Sequence, residues 1–279
     1  PAPVRPPVPS GPSVQECTEG TNAPSRTYQD LLSDDHDEAL FEHYATSQLV
    51  ELTLGPALSE RLIGSPRMIT CYVTSPDGRW LLVDLIRAPL SRVVLYNRFA
   101  MGVEAWPLEG DSSPPLVLTE QPVAEAIPIG RDATRLGPRG HVWRSDAPST
   151  VVWVVALDGG DPKAEVDHRD VVMTQDVGGD APGAPEELMR TEWRCKGVVW
   201  GDDDCALVLE GEWKTRSSRW WKISPSSPSR PSSPYLEYST DDRYNHPGSP
   251  MTVRLANNHR VLMQEGGKLV YSGVGGSDE

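Results

Sequence analysis

One unit recurs three times along this chain and restricts its folds more than any other feature. It is a short strand, a tight turn carrying an aspartate, and a strongly hydrophobic second strand. MITCYVTSPDG runs into WLLVDLI, HVWRSDAPS into VVWVVALDGGD, and CKGVVWGDDD into CALVLEGEWKT. The Pro-Asp-Gly order of the first turn suits proline at the second turn position and glycine near the end. The turn aspartates Asp77, Asp146 and Asp203 are 69 and then 57 residues apart. Each unit continues with two more strand-like segments: GVEAWPLEG and PLVLTEQ, then RDVVMTQD and ELMRTEW, then SRWWKIS and PYLEYST.

The second strands, Trp80–Ile86 and Val151–Ala156, are almost continuously apolar. A strand of that kind is covered on both faces. Stacked four-stranded blades give such cover, because each blade lies between two neighbours. A β-sandwich also accommodates these strands, but the recurrent turn unit favours blades. Propeller repeats run about 40–50 residues, so the longer spacing here requires loop insertions. RAPLSRVVLYNRFAM (87–101) and the Ser/Pro run SPSSPSRPSSP (224–234) are the candidates. The predicted fold is an all-β partial β-propeller with about three complete four-stranded blades, a partial one before residue 67 and the start of another after 248. Residues 1–26 read as a Pro/Ser-rich linker, 27–45 as an acidic helical insertion, and 46–279 as the partial propeller. A propeller lacking blades leaves two blade faces bare, so this chain by itself is expected to be marginally stable or to associate.

The balance of 26 basic to 40 acidic residues gives a net charge of −14. Such a chain repels phosphate backbones unless its cations cluster strongly, so no nucleic-acid partner is expected. No stretch approaches the roughly 18 apolar residues of a membrane helix, and no membrane partner is expected either. Cys17, Cys71, Cys195 and Cys205 form no CxxC pair, which points to reduced thiols rather than a disulfide framework or a zinc site. No charged n-region followed by an apolar h-region is present to indicate targeting.

Catalytic and cofactor signatures are missing. No Gly-x-Ser-x-Gly pentapeptide marks a nucleophile elbow, and no P-loop or dinucleotide fingerprint occurs. No cofactor, metal or catalytic residue is predicted. HDEALFEH lacks the i, i+4 histidines of a zinc-peptidase helix, and Asp202-Asp203-Asp204 reads as turn chemistry rather than a calcium loop. The basic cluster Lys214–Lys222 interleaves cations with Trp220 and Trp221. Adjacent side chains in a strand point to opposite faces, so the two indoles cannot form one stacking platform.

Several long passages resemble the propeller of the glutamyl endopeptidases of plant and algal chloroplasts, a branch of the prolyl oligopeptidase family of serine peptidases. They include VRPPVPSGPSVQ, RTYQDLLSDDHDEALFEHYATSQLVE, SPDGRWLLVDLIRAP, VEAW, WRSDAPSTVVWV, DGGD and YNHPGSPM, in order from residue 4 to 251. The resemblance implies a parent whose propeller covers a C-terminal α/β-hydrolase domain holding Ser, Asp and His. That parent would sit in the chloroplast stroma and cleave peptide substrates after glutamate through an acyl-enzyme. No triad position falls within this chain, which is expected to be inactive alone. Where the family stretch reads His-Arg-Pro-Tyr-Ser, this chain has Ile86-Arg87-Ala88-Pro89-Leu90-Ser91. A glutamate-selective site needs a cation, preferably a bidentate arginine. Arg98, Arg87 and Arg92 lie in the loop after a blade's second strand, with Arg98 first because Arg98-Phe99 matches the family. The alternative function is a non-catalytic propeller serving as a protein-interaction scaffold.

Overall fold

A computed structural model describes residues 4–11, 28–108, 114–179, 181–227 and 233–274. Most of the expected linker over 1–26, Cys17 and the centre of the Ser/Pro run lie outside the described residues. The described chain is all-β apart from one α-helix and a single 3-10 turn, and its sheets are antiparallel meanders in chain order. It has the partial-propeller class that the repeat predicts. Two compact units form, one of residues up to Thr74 with Trp80–Ile129, the other of Ser75–Arg79 with Gly130–Glu279.

The first unit opens with helix α1 (Asp35–Ala45). Asp34 caps it by accepting the Asp37 amide at 3.0 Å, while the Asp37 carboxylate accepts the Ser33 amide at 2.9 Å. Asp35, Asp37 and Glu38 place negative charge at the positive end of the helix dipole. One sheet follows in the order β1 (Thr46–Thr53), β2 (Ser59–Thr74), β3 (Trp80–Ile86), β4 (Met101–Pro107) and β5 (Leu116–Gln121). Alternation in β3 sends Leu81, Val83 and Leu85 into one cluster with Trp106, and Ile86 into another with Val94 and Phe99. The near-continuous apolar run is thus buried on both sides. Strand β2 is long because its first half pairs β1 and its second half β3. Gly64 makes this possible: its φ is +65°, and a Cβ there would stand 2.5 Å from the Trp106 ring.

The second unit holds two four-stranded meanders. The first is β6 (Pro138–Trp143), β7 (Thr150–Ala156), β8 (Asp170–Asp176) and β9 (Glu186–Thr191). The other is β10 (Arg194–Asp202), β11 (Cys205–Glu212), β12 (Ser217–Ile223) and β13 (Ser233–Ser239). Val152, Val172, Leu188 and Met189 of the first meander share one core with Trp200, Ala206, Val208 and Ile223 of the second. Stacked blades bury apolar surface in this way. After β13 come three short ladders: β14 (Ser249–Pro250) with β19 (Tyr271–Ser272), β15 (Thr252–Arg254) with β16 (Arg260–Leu262), and β17 (Gln264–Glu265) with β18 (Lys268–Leu269). Leu262 of β16 packs into the outer cluster of Cys205, Leu207 and Trp220, where the repeat predicts the start of another blade.

Two of the turn aspartates act as ties. Asp77 accepts the Ser75 and Ser149 hydroxyls, both at 2.5 Å, and the Arg79 amide at 3.1 Å. Burial alone would raise its carboxyl pKa, but these bonds outweigh burial and hold it below the usual range. Asp146 forms a two-point pair with Arg144. In the third turn, Asp202 rather than Asp203 does the capping, accepting the Asp204 amide and the Gln264 side chain.

Candidate functional site

The three arginines singled out by sequence lie in or beside one loop, residues 87–100, between β3 and β4. Its interior is fixed by buried Val94, Phe99 and Ala100, and Phe99 meets Phe41 of α1 edge-to-face at 5.5 Å. Chain geometry then separates the arginines by partner. Arg87 pairs with Glu104, whose side chain is 6% exposed and also accepts the Trp106 indole at 2.7 Å. Gly102 leaves room for that guanidinium, since a Cβ there would lie 2.9 Å from Arg87 Nε. Arg92 pairs with Asp35 and, at 2.6 Å, with Glu38, and so ties the loop to the first turn of α1.

Arg98 differs from both. It ends the 3-10 turn Tyr96–Arg98, its carbonyl accepts the Ala124 amide at 2.8 Å, and it is half-buried. Its guanidinium has no hydrogen-bonding or ionic partner among the described residues. A fork of donors without a carboxylate, carried on a loop anchored at both ends, is suited to accept one from outside.

Other candidates resolve into packing. Trp220 is buried in the outer cluster with Leu207, whereas Trp221 packs on the shared core and donates to Glu210 at 2.8 Å. They occupy opposite faces of β12, as strand alternation requires. Arg219, just before them, pairs with Glu192, Glu210 and Glu237, and lies 4.2 Å from the Trp193 ring centroid. Among the described residues no group of three His, Cys, Asp or Glu side chains stands close enough to hold a metal ion. Cys71, Cys195 and Cys205 are free thiols, and burial pushes the Cys195 thiol up to about 11.

Sequence reasoning missed the buried ionic groups of the second unit. Arg194, at the start of β10, reaches Asp158 at 2.6 Å and Asp170 at 2.7 Å. Asp170 also takes Arg139 at 2.6 Å and the Cys195 amide at 2.7 Å, and Asp158 takes Arg169 at 3.1 Å. Burial acts to raise the Asp158 carboxyl, but the hydrogen bond and charge of Arg194, joined by Arg169, hold it below the ordinary carboxylate range. The available signal was a carboxylate within an otherwise apolar strand, as at Asp170 and Glu210. His141 on β6 is the other missed group: 8% exposed, stacked on Trp153 at 5.6 Å, its Nδ1 unpartnered among the described residues. Burial brings its pKa down to about 4.

These meanders and their shared core define a β-propeller segment, one that presents ionic ties and a loop arginine but, among the described residues, no assembled nucleophile and base. No family model matches the chain. By sequence it is similar to two probable chloroplastic glutamyl endopeptidases. It is 36% identical to a probable chloroplastic glutamyl endopeptidase of Oryza sativa subsp. japonica over 99% of this chain, and 40% identical to its counterpart in Arabidopsis thaliana over 90%. The chain spans only 30% and 26% of those relatives. Two solved structures overlap it slightly. A Mycobacterium tuberculosis puromycin-hydrolyzing peptidase gives a TM-score of 0.37 at 16% identity, over 72% of this chain and 28% of that one. An uncharacterized Listeria monocytogenes protein gives 0.27 at 12%, over 70% and 59%. Among the described residues no helix is long and apolar enough to cross a membrane.

Proposed function

We propose that this chain is the propeller portion of a serine endopeptidase that cleaves after glutamate in the chloroplast stroma. Its partner is a C-terminal α/β-hydrolase domain of the same protein, and its role is to admit peptide substrate to that domain. One observation carries the reading: alignment with two glutamyl endopeptidases runs over nearly all of this chain yet under a third of theirs. The bond-breaking groups belong to the hydrolase domain, where a serine attacks the carbonyl and an acyl-enzyme is then hydrolysed. The propeller supplies access and substrate selection.

Within that reading Arg98 contributes to glutamate recognition, and Arg87 and Arg92 shape its loop through Glu104 and α1. A charge-assisted hydrogen bond is worth about 1.5–3 kcal/mol, or roughly 10- to 150-fold in kcat/KM. Arg98→Ala in the full-length enzyme is expected to lose that factor on a glutamyl reporter and far less on its glutaminyl analogue. Equal kcat/KM for variant and parent on the glutamyl reporter removes Arg98 from recognition. The reading frame beyond Glu279 tests the wider proposal. A Gly-x-Ser-x-Gly elbow followed by Asp and His supports the peptidase, and a frame that stops without them supports a scaffold.

A further inference from the structure

The proline-rich segment Val4–Pro9, VRPPVP, makes no helix and no strand, and Val4 and Val8 are 94% and 76% exposed. Pro6, Pro7 and Pro9 fix φ near −65° and remove three backbone donors. Such a backbone favours the polyproline II helix, whose carbonyls are unbonded and in which every third residue returns to one edge. Pro6 and Pro9 then share one edge, and Arg5 and Val8 the next. Arg5 is exposed, is the one cation among residues 1–25, and has no carboxylate partner among the described residues.

The same compact unit carries a cleft of about 950 Å³, bounded by residues 28–33 and by α1. Tyr28, Leu31, Phe41 and Tyr44 give it an aromatic and apolar wall. Tyr44 is 66% exposed, and neither tyrosine hydroxyl has a hydrogen-bond partner among the described residues. The charged groups lining the cleft are two carboxylates, Asp30 and Asp37, with no cation beside them. Asp37 already accepts the Ser33 amide. Asp30, exposed at φ +58°, has no partner among the described residues. Asp35 and Glu38 of the same helix are engaged by Arg92 and stand outside the cleft lining.

Segment and cleft complement each other in charge, chemistry and length. Aromatic-lined grooves take polyproline II segments, rings packing on the prolines while hydroxyls donate to the free carbonyls. Six residues in that conformation span about 19 Å, against about 16 Å for the 11 residues of α1. The 18 residues from 10 to 27 reach up to about 60 Å, enough to return the segment to the cleft. A tether of that length holds its ligand at roughly millimolar effective concentration, so at micromolar protein the chain's own segment outcompetes that of a second copy. We infer that VRPPVP docks in this cleft within its own chain, its prolines on Tyr28 and Tyr44 and Arg5 paired with Asp30. No hydrolase domain and no catalytic step is involved, so this contact stands or falls separately from the peptidase reading.

The test is photo-cross-linking of the full 279-residue chain carrying p-benzoylphenylalanine in place of Val8, followed by peptide mapping. A product of monomer mass is expected, joining residue 8 to residues 28–45. Arg5→Glu and Asp30→Lys should each lower its yield at least 5-fold, and so should Tyr44→Ala. Arg5→Glu combined with Asp30→Lys should restore at least half of the parent yield, because the reversed charges attract again. That rescue separates the pair from any loss of folding in a single variant. Links that fall outside residues 28–45 overturn the assignment, as does a product of dimer mass, which would seat the segment on a second copy. Unchanged yields in the single variants, or no rescue in the double one, overturn it equally.

Discussion

Replacing His141 with phenylalanine should remove a specific part of the protein's sensitivity to mild acid. The ring lies on β6 against Trp153, 8% exposed, and burial lowers its pKa to about 4 from an ordinary value of about 6.5. The folded state thus holds His141 neutral, and the unfolded state protonates it more readily. The stability this represents is complete above pH 6.5 and is lost as pH falls toward 4. Two and a half pKa units correspond to about 3 kcal/mol at the limit, of which about 2 kcal/mol has gone by pH 5. For a unit of about 150 residues, 2 kcal/mol is roughly 4–8 °C in Tm. Phenylalanine keeps a flat ring against Trp153, removes an unpartnered Nδ1 and cannot titrate. Thermal melts of parent and His141→Phe at pH 7.5 and 5 should therefore show the parent losing about 4–8 °C more than the variant. Losses that agree within about 1 °C would refute the claim that a buried neutral His141 governs this window.

Two further changes probe the second unit. Arg194→Met leaves Asp158 and Asp170 buried with one cationic partner fewer each, and removal of one member of a buried pair costs about 3–5 kcal/mol. Urea unfolding at pH 7 reads that loss. Because Arg194 lowers the Asp158 carboxyl, the stability it confers is present above the ordinary carboxylate range and lost below it, so the variant should also begin to unfold at a higher pH on acidification. Cys195, buried and pushed up to about 11, should react with a disulfide reagent at pH 8 only after denaturation, whereas exposed Cys71 reacts in the native protein. Mass analysis of labelled peptides distinguishes them, and native labelling of Cys195 contradicts its burial.

Much of the fold could be read from local patterns. The apolar runs of β3 and β7, the aspartate turns and the opposite faces of Trp220 and Trp221 all follow from period-two geometry over a few residues. The long-range ion pairs do not. Nothing near Arg194 in sequence names Asp158 or Asp170, 36 and 24 residues away, because the partners meet only when two meanders stack. The arginine loop shows the same limit. Arg87, Arg92 and Arg98 look equivalent in the sequence, and what distinguishes them is Glu104 on an adjoining strand and the acidic turn of α1. Glu104 itself was a readable clue, being a carboxylate in the apolar run MGVEAWP, and such a group demands a cation or donor when buried. The stacking of Arg131 and Arg216 on the Trp213 ring left no comparable mark, since these residues come from a loop and a turn about 80 residues apart.

The core that Val152, Val172, Leu188 and Met189 share with Trp200, Ala206, Val208 and Ile223 belongs to neither meander alone. The unit that mutates together is therefore the seam between blades rather than the blade. A larger side chain at Val152 or Val172 must be answered by a smaller one across the seam, about 30–70 residues further along the chain. Among relatives, correlated substitutions should join the inner strands of consecutive repeats more strongly than strands within one repeat. Gene duplication could copy a blade in one step, yet divergence afterwards would proceed in interlocked pairs, each repeat limiting what the next can become.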